Sequence, residues 1–256
     1  MRVLEELEQA VRQVAERVGP SVVGIGRGRG RGSGVVLADG LVATNAHNIR
    51  GEETTVVFGG DRSAVGRVAG VDVDADLAVI AVDTGGAPAI AWATDADAQV
   101  GAAVFALANP GGQLRVTFGL VSAIGRAFRG PRGRRIAGSI EHTAPLPRGA
   151  SGGPVVDTEG RLLGIDTNRL GDGFYLALPA DAELRQRLEA RSLQFDETLK
   201  RVNIRVSGCN NSCGQHHVSD IGFYGSSRNI GAYKVPHFLL VLGGELADNA
   251  GNYGLA

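Results

Sequence analysis

Short runs rich in valine and isoleucine, each closed by Gly, Asp or Pro, recur about every ten residues along the first 195 positions. SVVGIG, TTVVFGG, DLAVIAV, GAAVFALANP, RVTFGLVSAIG and GFYLALPA are examples. Runs of that length and spacing predict an all-β sandwich or a pair of barrels, and no βαβ alternation competes with them. Asp39-Gly40 and Glu159-Gly160 mark hairpin turns, because glycine takes the positive φ such turns demand. Glycine, at 39 of 256 residues, is about twice its usual share and shows no collagen period. That surplus fits many tight turns between short strands.

One helix precedes the strands. Val3, Leu4, Leu7, Val11, Val14 and Val18 recur at three- and four-residue steps over Met1–Val18, the pattern of an amphipathic helix. The stretch lacks the apolar core and cleavage site of a secretory signal, and no uninterrupted apolar run is long enough to cross a bilayer. A cytoplasmic protein without membrane contact is the expectation.

Composition changes near residue 195. Residues 1–195 hold 21 Arg, no Lys, no Cys and four Asn, whereas residues 196–256 hold both Lys, both Cys and six Asn. Two segments of different origin are expected, joined after a helix at Ala180–Ser192. With a net charge of −1 the chain has no overall basic footprint for nucleic acid. The arginine-glycine run Gly26–Gly32 fails the dinucleotide fingerprint, no Walker lysine exists, and a solvated loop is the simpler reading. Arg126–Arg135 is a second basic loop. Asp72 and Asp74 lack the Gly and terminal Glu of a calcium loop.

Chemistry concentrates in three places. Ser151 lies in RGASGGP, where flanking glycines let a peptide approach and Gly149 lets two backbone N–H groups converge on an oxyanion. His47 ends the run ATNAH at a strand-to-loop junction. Asp76 lies in DVDADLAV, just before an apolar strand. A seryl hydroxyl becomes nucleophilic when an imidazole takes its proton, and that imidazole needs a carboxylate to fix its tautomer. The three residue types occur in the order His, Asp, Ser, separated by 29 and 75 residues.

GSGVVLADGLVATNAHNI, DADLAVIAV, ALANPGG with VTFGLVSAIGR, and APLPRGASGGPVVDTEGRLLGIDTN together resemble the HtrA (Deg) branch of the trypsin-like serine proteases, collinearly over residues 1 to about 190. The resemblance implies a mostly β fold of two six-stranded antiparallel barrels behind an N-terminal helix at 2–18. The barrels would lie at about 20–84 and about 97–180, within a protease domain of 1–195. It implies a serine endopeptidase in which His47 is base then acid, Asp76 orients it, and Ser151 forms the acyl-enzyme. Gly149 and Ser151 would supply the oxyanion hole, while Ile165, Asp166, Thr167 and Asn168 would bind substrate. Polypeptides would be the substrates, no cofactor would be needed, and a homo-oligomer is compatible. Pro145 stands six residues before Ser151 where a trypsin has an acid, so small or apolar residues are the expected preference. The loop reads Gly-Ala-Ser where Gly-Asn-Ser is commoner. No PDZ domain, usual after such proteases, is recognisable. His142 is expected to make a structural hydrogen bond, and Trp92 to sit in the core between barrels.

Residues 196–256 resemble part of the iron–sulfur/sirohaem domain of nitrite and sulfite reductases, through Gly208-Cys209-x-x-x-Cys213 and Asp220-Ile-Gly-Phe223. In that family four cysteines hold the cluster; here Cys209 and Cys213 are the only two, so a small α+β fragment without redox activity is expected. Cys209, Cys213, His216 and His217 have no standard zinc spacing. Phe238–Leu242 is an apolar run suited to association. Two other functions remain as alternatives: a catalytically silent protease fold used as a binding module, and a redox remnant at the C-terminus. The intact triad argues against the first and the missing cysteines against the second.

Overall fold

A computed structural model describes residues 2–26, 32–60, 62–93, 98–129, 135–136, 138–181, 184–186, 204–207, 221–230 and 233–242. It divides into two compact units, Met1–Ser192 and Leu193–Ala256.

The first unit opens with α1 (Arg2–Val18), whose surface ion pairs Arg2–Glu6 and Glu8–Arg12 sit one turn apart. The apolar stripe is used only at its C-terminal end. Val14 and Val18 are 2% exposed, whereas Val3 and Leu4 are 75% and 72% exposed. Arg17 fastens that end by donating to the Glu159 carbonyl at 2.6 Å.

Two closed antiparallel barrels follow, as the resemblance implies. The first contains β1 (Val22–Ile25), β2 (Gly32–Ala38), β3 (Leu41–Thr44), β4 (Glu53–Val57), β5 (Ser63–Asp72) and β6 (Leu77–Ala81), in the order β1-β2-β3-β6-β5-β4. The second contains β7 (Ala103–Ala108), β8 (Arg115–Ile124), β11 (Ile140–His142), β12 (Pro154–Val156), β13 (Leu162–Gly171) and β14 (Phe174–Pro179). A short ribbon of β9 (Phe128–Arg129) and β10 (Arg135–Ile136) interrupts it. Read from β7, its order is β7-β8-β11-β14-β13-β12, the connectivity of the first barrel repeated. Branched aliphatic residues fill the interiors: Val23, Ile25, Val36, Val42, Val56 and Ile80 in one, Val104, Val121, Ile140, Val155 and Leu163 in the other. Both predicted hairpin glycines adopt positive φ, 76° at Gly40 and at Gly160.

Trp92 is half-buried, not core: it bridges to Leu162 and carries the Arg185 guanidinium 4.8 Å from its ring centroid. Of the helix expected at Ala180–Ser192, residues 184–186 are described and helical, with Asp181 Oδ1 accepting the Leu184 N–H.

In the second unit β15 (Ile204–Ser207) runs parallel to β16 (Ile221–Ile230), which pairs antiparallel with β17 (Tyr233–Leu242). Phe238, Leu240 and Leu242 are exposed on β17. Cys209, Cys213, His216 and His217 lie outside the described residues, as do residues 27–31 and 130–134 of the two basic loops.

Candidate active site

β3 and β6 are neighbours, with Thr44 opposite Ala78, so the loop after β3 and the turn before β6 leave the same end of the first barrel. His47 rides a 3-10 turn, Ala46–Asn48. Asp76 closes the preceding turn at φ +54°, a left-handed conformation that a non-glycine residue holds only when its surroundings fix it. They do: its carbonyl accepts the Ala46 N–H and the Asn45 Nδ2, each at 3.1 Å. Its carboxylate meets His47 Nδ1 at 3.0 and 2.9 Å and accepts the His47 backbone N–H at 3.2 Å. Asp76 is buried, while the His47 side chain stays 26% exposed, so the carboxylate is shielded and the imidazole's other edge can meet a substrate.

Ser151 comes from the second barrel, on a turn that the first barrel grips. Ser33 on β2 donates its hydroxyl to the Gly149 carbonyl at 2.8 Å and its N–H to the Ser151 carbonyl at 2.9 Å. Asn48 Nδ2 reaches the same Ser151 carbonyl at 2.9 Å, and the Asn109 N–H donates to Ser33 Oγ at 3.0 Å. Gly149 has φ +83° and Gly152 φ +91°. A Cβ on Gly152 would overlap the Ser33 carbonyl oxygen and the Thr44 hydroxyl, so only glycine fits there. Among the described residues, neither the Gly149 nor the Ser151 N–H is spent on a hydrogen bond. Ser151 Oγ donates to the Thr167 carbonyl at 3.3 Å and makes no hydrogen bond to His47.

Of the four residues assigned to substrate binding, Ile165 is fully buried, in register with Leu178 on β14. Asp166 is buried too, its Oδ1 2.9 Å from His142 Nε2; this is the structural bond expected for His142. Loss of hydration raises the Asp166 carboxyl above its ordinary value, with the opposing pull of His142 second. Thr167 Oγ1 donates to Asp76 Oδ2 at 2.6 Å, joining the second barrel to the carboxylate of the first. Asn168 is in register with Leu176 on β14. β12 pairs with β13 only as far as Ile165, and among the described residues no strand covers that edge beyond it. Ser33 and Asn48 thus clasp the serine turn to the first barrel, a role that their local sequence does not show. The motifs GSG and NAHN contain them, but only the pairing of distant strands gives them a common target.

This is the double-barrel architecture of the chymotrypsin class, with the His–Asp pair on one barrel and the serine turn on the other. The Trypsin-like peptidase domain family matches residues 32–165, and the chain belongs to that family. Within it the chain is 35% identical to the Mycobacterium tuberculosis serine protease PepD over 62% of its own length. It is 32% identical to the human serine protease HTRA4 over 67% of its length. It spans 39% of each of those relatives. Among solved structures it superposes on the HtrA-type protease AlgW with a decapeptide at TM-score 0.62 and 23% identity, over 73% of this chain and 68% of that one. On the inactive form of the Rv3671c protease the TM-score is 0.60 at 28% identity, over 69% of this chain and 91% of that one. No described helix is long and apolar enough to cross a membrane.

Proposed function

We propose that residues 1–195 form an HtrA-like serine endopeptidase domain in which Ser151 attacks the peptide carbonyl, His47 takes and returns its proton, and Asp76 fixes the imidazole. The observation that carries this reading is the grip of Asp76 on His47 Nδ1 at 2.9 Å, which leaves Nε2 as the proton-accepting nitrogen. The free N–H groups of Gly149 and Ser151 would hold the oxyanion. In the resting arrangement the Ser151 hydroxyl is parked on the Thr167 carbonyl; a rotation about χ1 would carry it to His47. The uncovered β13 edge from Thr167 to Asn168 suits pairing with an extended peptide. With Pro145 in place of an acid and Arg169 held on the Leu146 carbonyl at 2.6 Å, cleavage after small or apolar residues fits better than cleavage after Arg or Lys.

We read residues 196–256 as a reductase-like fragment without catalysis of its own, needing no cofactor, and a cytoplasmic location for the chain. Incubation with casein tests the endopeptidase reading. Cleavage by the wild type, with products mapped by mass spectrometry, and none by Ser151→Ala is the expected outcome; equal cleavage by both would refute it.

A further inference from the structure

β13 is irregular where it passes the catalytic loop. Its register on β14 goes from Asp166 opposite Ala177 to Asn168 opposite Leu176, so Thr167 is an extra residue, a β-bulge. A bulge re-aims side chains and backbone groups. This one sends the Thr167 hydroxyl to Asp76 and its carbonyl to Ser151 Oγ. The residue before the bulge is tied to the serine turn by its main chain: the Gly152 N–H donates to the Asp166 carbonyl at 2.7 Å, and the Asp166 N–H to the Gly153 carbonyl at 2.9 Å.

The side chain of Asp166 is anchored on the inside of the barrel. His142 lies on β11, beyond the intervening β14, in register with Tyr175 and stacked on its ring at 5.9 Å. Ala177 is the β14 residue opposite Asp166, and its lone methyl leaves room for the bond between His142 and Asp166 to pass over the strand. Both partners are wholly buried.

Burial of such a pair contributes little net stability, because removing both groups from water offsets their attraction. Two of its atoms, His142 Nδ1 and Asp166 Oδ2, find no hydrogen-bond partner among the described residues, which adds to the cost. The neighbouring interior is Val, Ala, Ile, Leu and Tyr, and apolar side chains of similar volume often replace a buried pair in such surroundings without loss of stability. The pair stands instead one residue from the bulge that serves Asp76 and Ser151.

We propose that His142 and Asp166 are a positioning pair: their bond across β14 fixes the residue before the bulge, and so holds Thr167 on Asp76 and the serine turn in register. Neither touches the reacting atoms. The inference rests on the peptidase reading above.

Full-length variants His142→Leu, His142→Gln and the double His142→Leu/Asp166→Leu test it. Two readouts are used: the rate at which a fluorophosphonate probe labels Ser151, and kcat and KM on casein. If the wild type fails to label, the peptidase reading itself has failed. With a reactive wild type, His142→Leu is expected to label about tenfold more slowly with kcat reduced and KM within about twofold, the signature of a misplaced nucleophile. His142→Gln, whose amide N–H can still reach Asp166, is expected to recover most of that rate. The double variant has no uncompensated buried charge. It is expected to resist urea at least as well as the wild type yet to label as slowly as His142→Leu. Wild-type labelling by the double variant, or a Gln variant no faster than the Leu variant, would overturn the proposal.

Discussion

Buried carboxylate oxygens are costly unless donors reach them, and Asp76 collects donors from both barrels: His47 by ring and backbone, Thr167 by its hydroxyl. Removing one donor is predicted to be felt in turnover. Thr167→Val keeps shape and loses the 2.6 Å bond, so kcat/KM on casein is expected to fall at least about tenfold, since a hydrogen bond to a charged group is worth about 1.5–3 kcal/mol. An unchanged value would show that Thr167 merely fills space. Asp166 makes a different prediction, about pH. Its carboxyl is raised above the ordinary 3.8 by burial, so between 3.8 and the raised value the folded chain holds a proton that the unfolded chain has released. Stability owed to this group is therefore full below 3.8 and declines as pH rises through the folded-state value. Urea unfolding of the wild type and Asp166→Asn between about pH 4 and 7 should show the wild type losing ground to the variant as pH rises; parallel curves would contradict it. His47, Asp76 and Ser151 were legible in sequence because their local motifs are distinctive. The bond between His142 and Asp166 was not, since 24 residues separate the partners in the chain and β14 lies between their strands.

Among the elements, long apolar strands and their glycine turns were readable, because alternation and hairpin chemistry are local. The strand β11 was not. It has three residues, Ile140, Glu141 and His142, and two of them are polar although all three are buried. Glu141 can be buried because Ser122 Oγ and Arg126 reach its two oxygens at 2.9 Å, a reason visible only when β8 lies alongside. The bulge at Thr167 was equally hidden, because an extra residue is defined by the partner strand. The helix α1 read correctly in period; of its apolar stripe Val14 and Val18 are buried, while Val3 and Leu4 stay exposed. The serine turn gives the sharpest prediction at this scale. Gly152→Ala meets a positive φ and the Ser33 carbonyl together, and is expected to lower stability by about 3 kcal/mol or more and abolish labelling of Ser151. A stable, reactive Gly152→Ala would mean that the two barrels do not close on this turn as described.

At the scale of the molecule, two closed barrels share one connectivity, and the site consists of what each sends to the other. The sequence shows no repeat at a fixed period, although the two barrels share one strand order. Both barrels and every residue of the site lie in the unit Met1–Ser192. A chain ending at residue 192 is therefore expected to react with a fluorophosphonate at the full-length rate; loss of reactivity would assign the C-terminal segment a part in the site. The proposed peptidase requires that an imidazole on one barrel activate a hydroxyl on the other. Active-site titration with the probe, read by intact mass and peptide mapping, tests it most directly. One adduct per chain on Ser151 is predicted, formed at least about a thousandfold more slowly in His47→Ala, since the base is then gone. An adduct on another residue, or equal rates with and without His47, would contradict it.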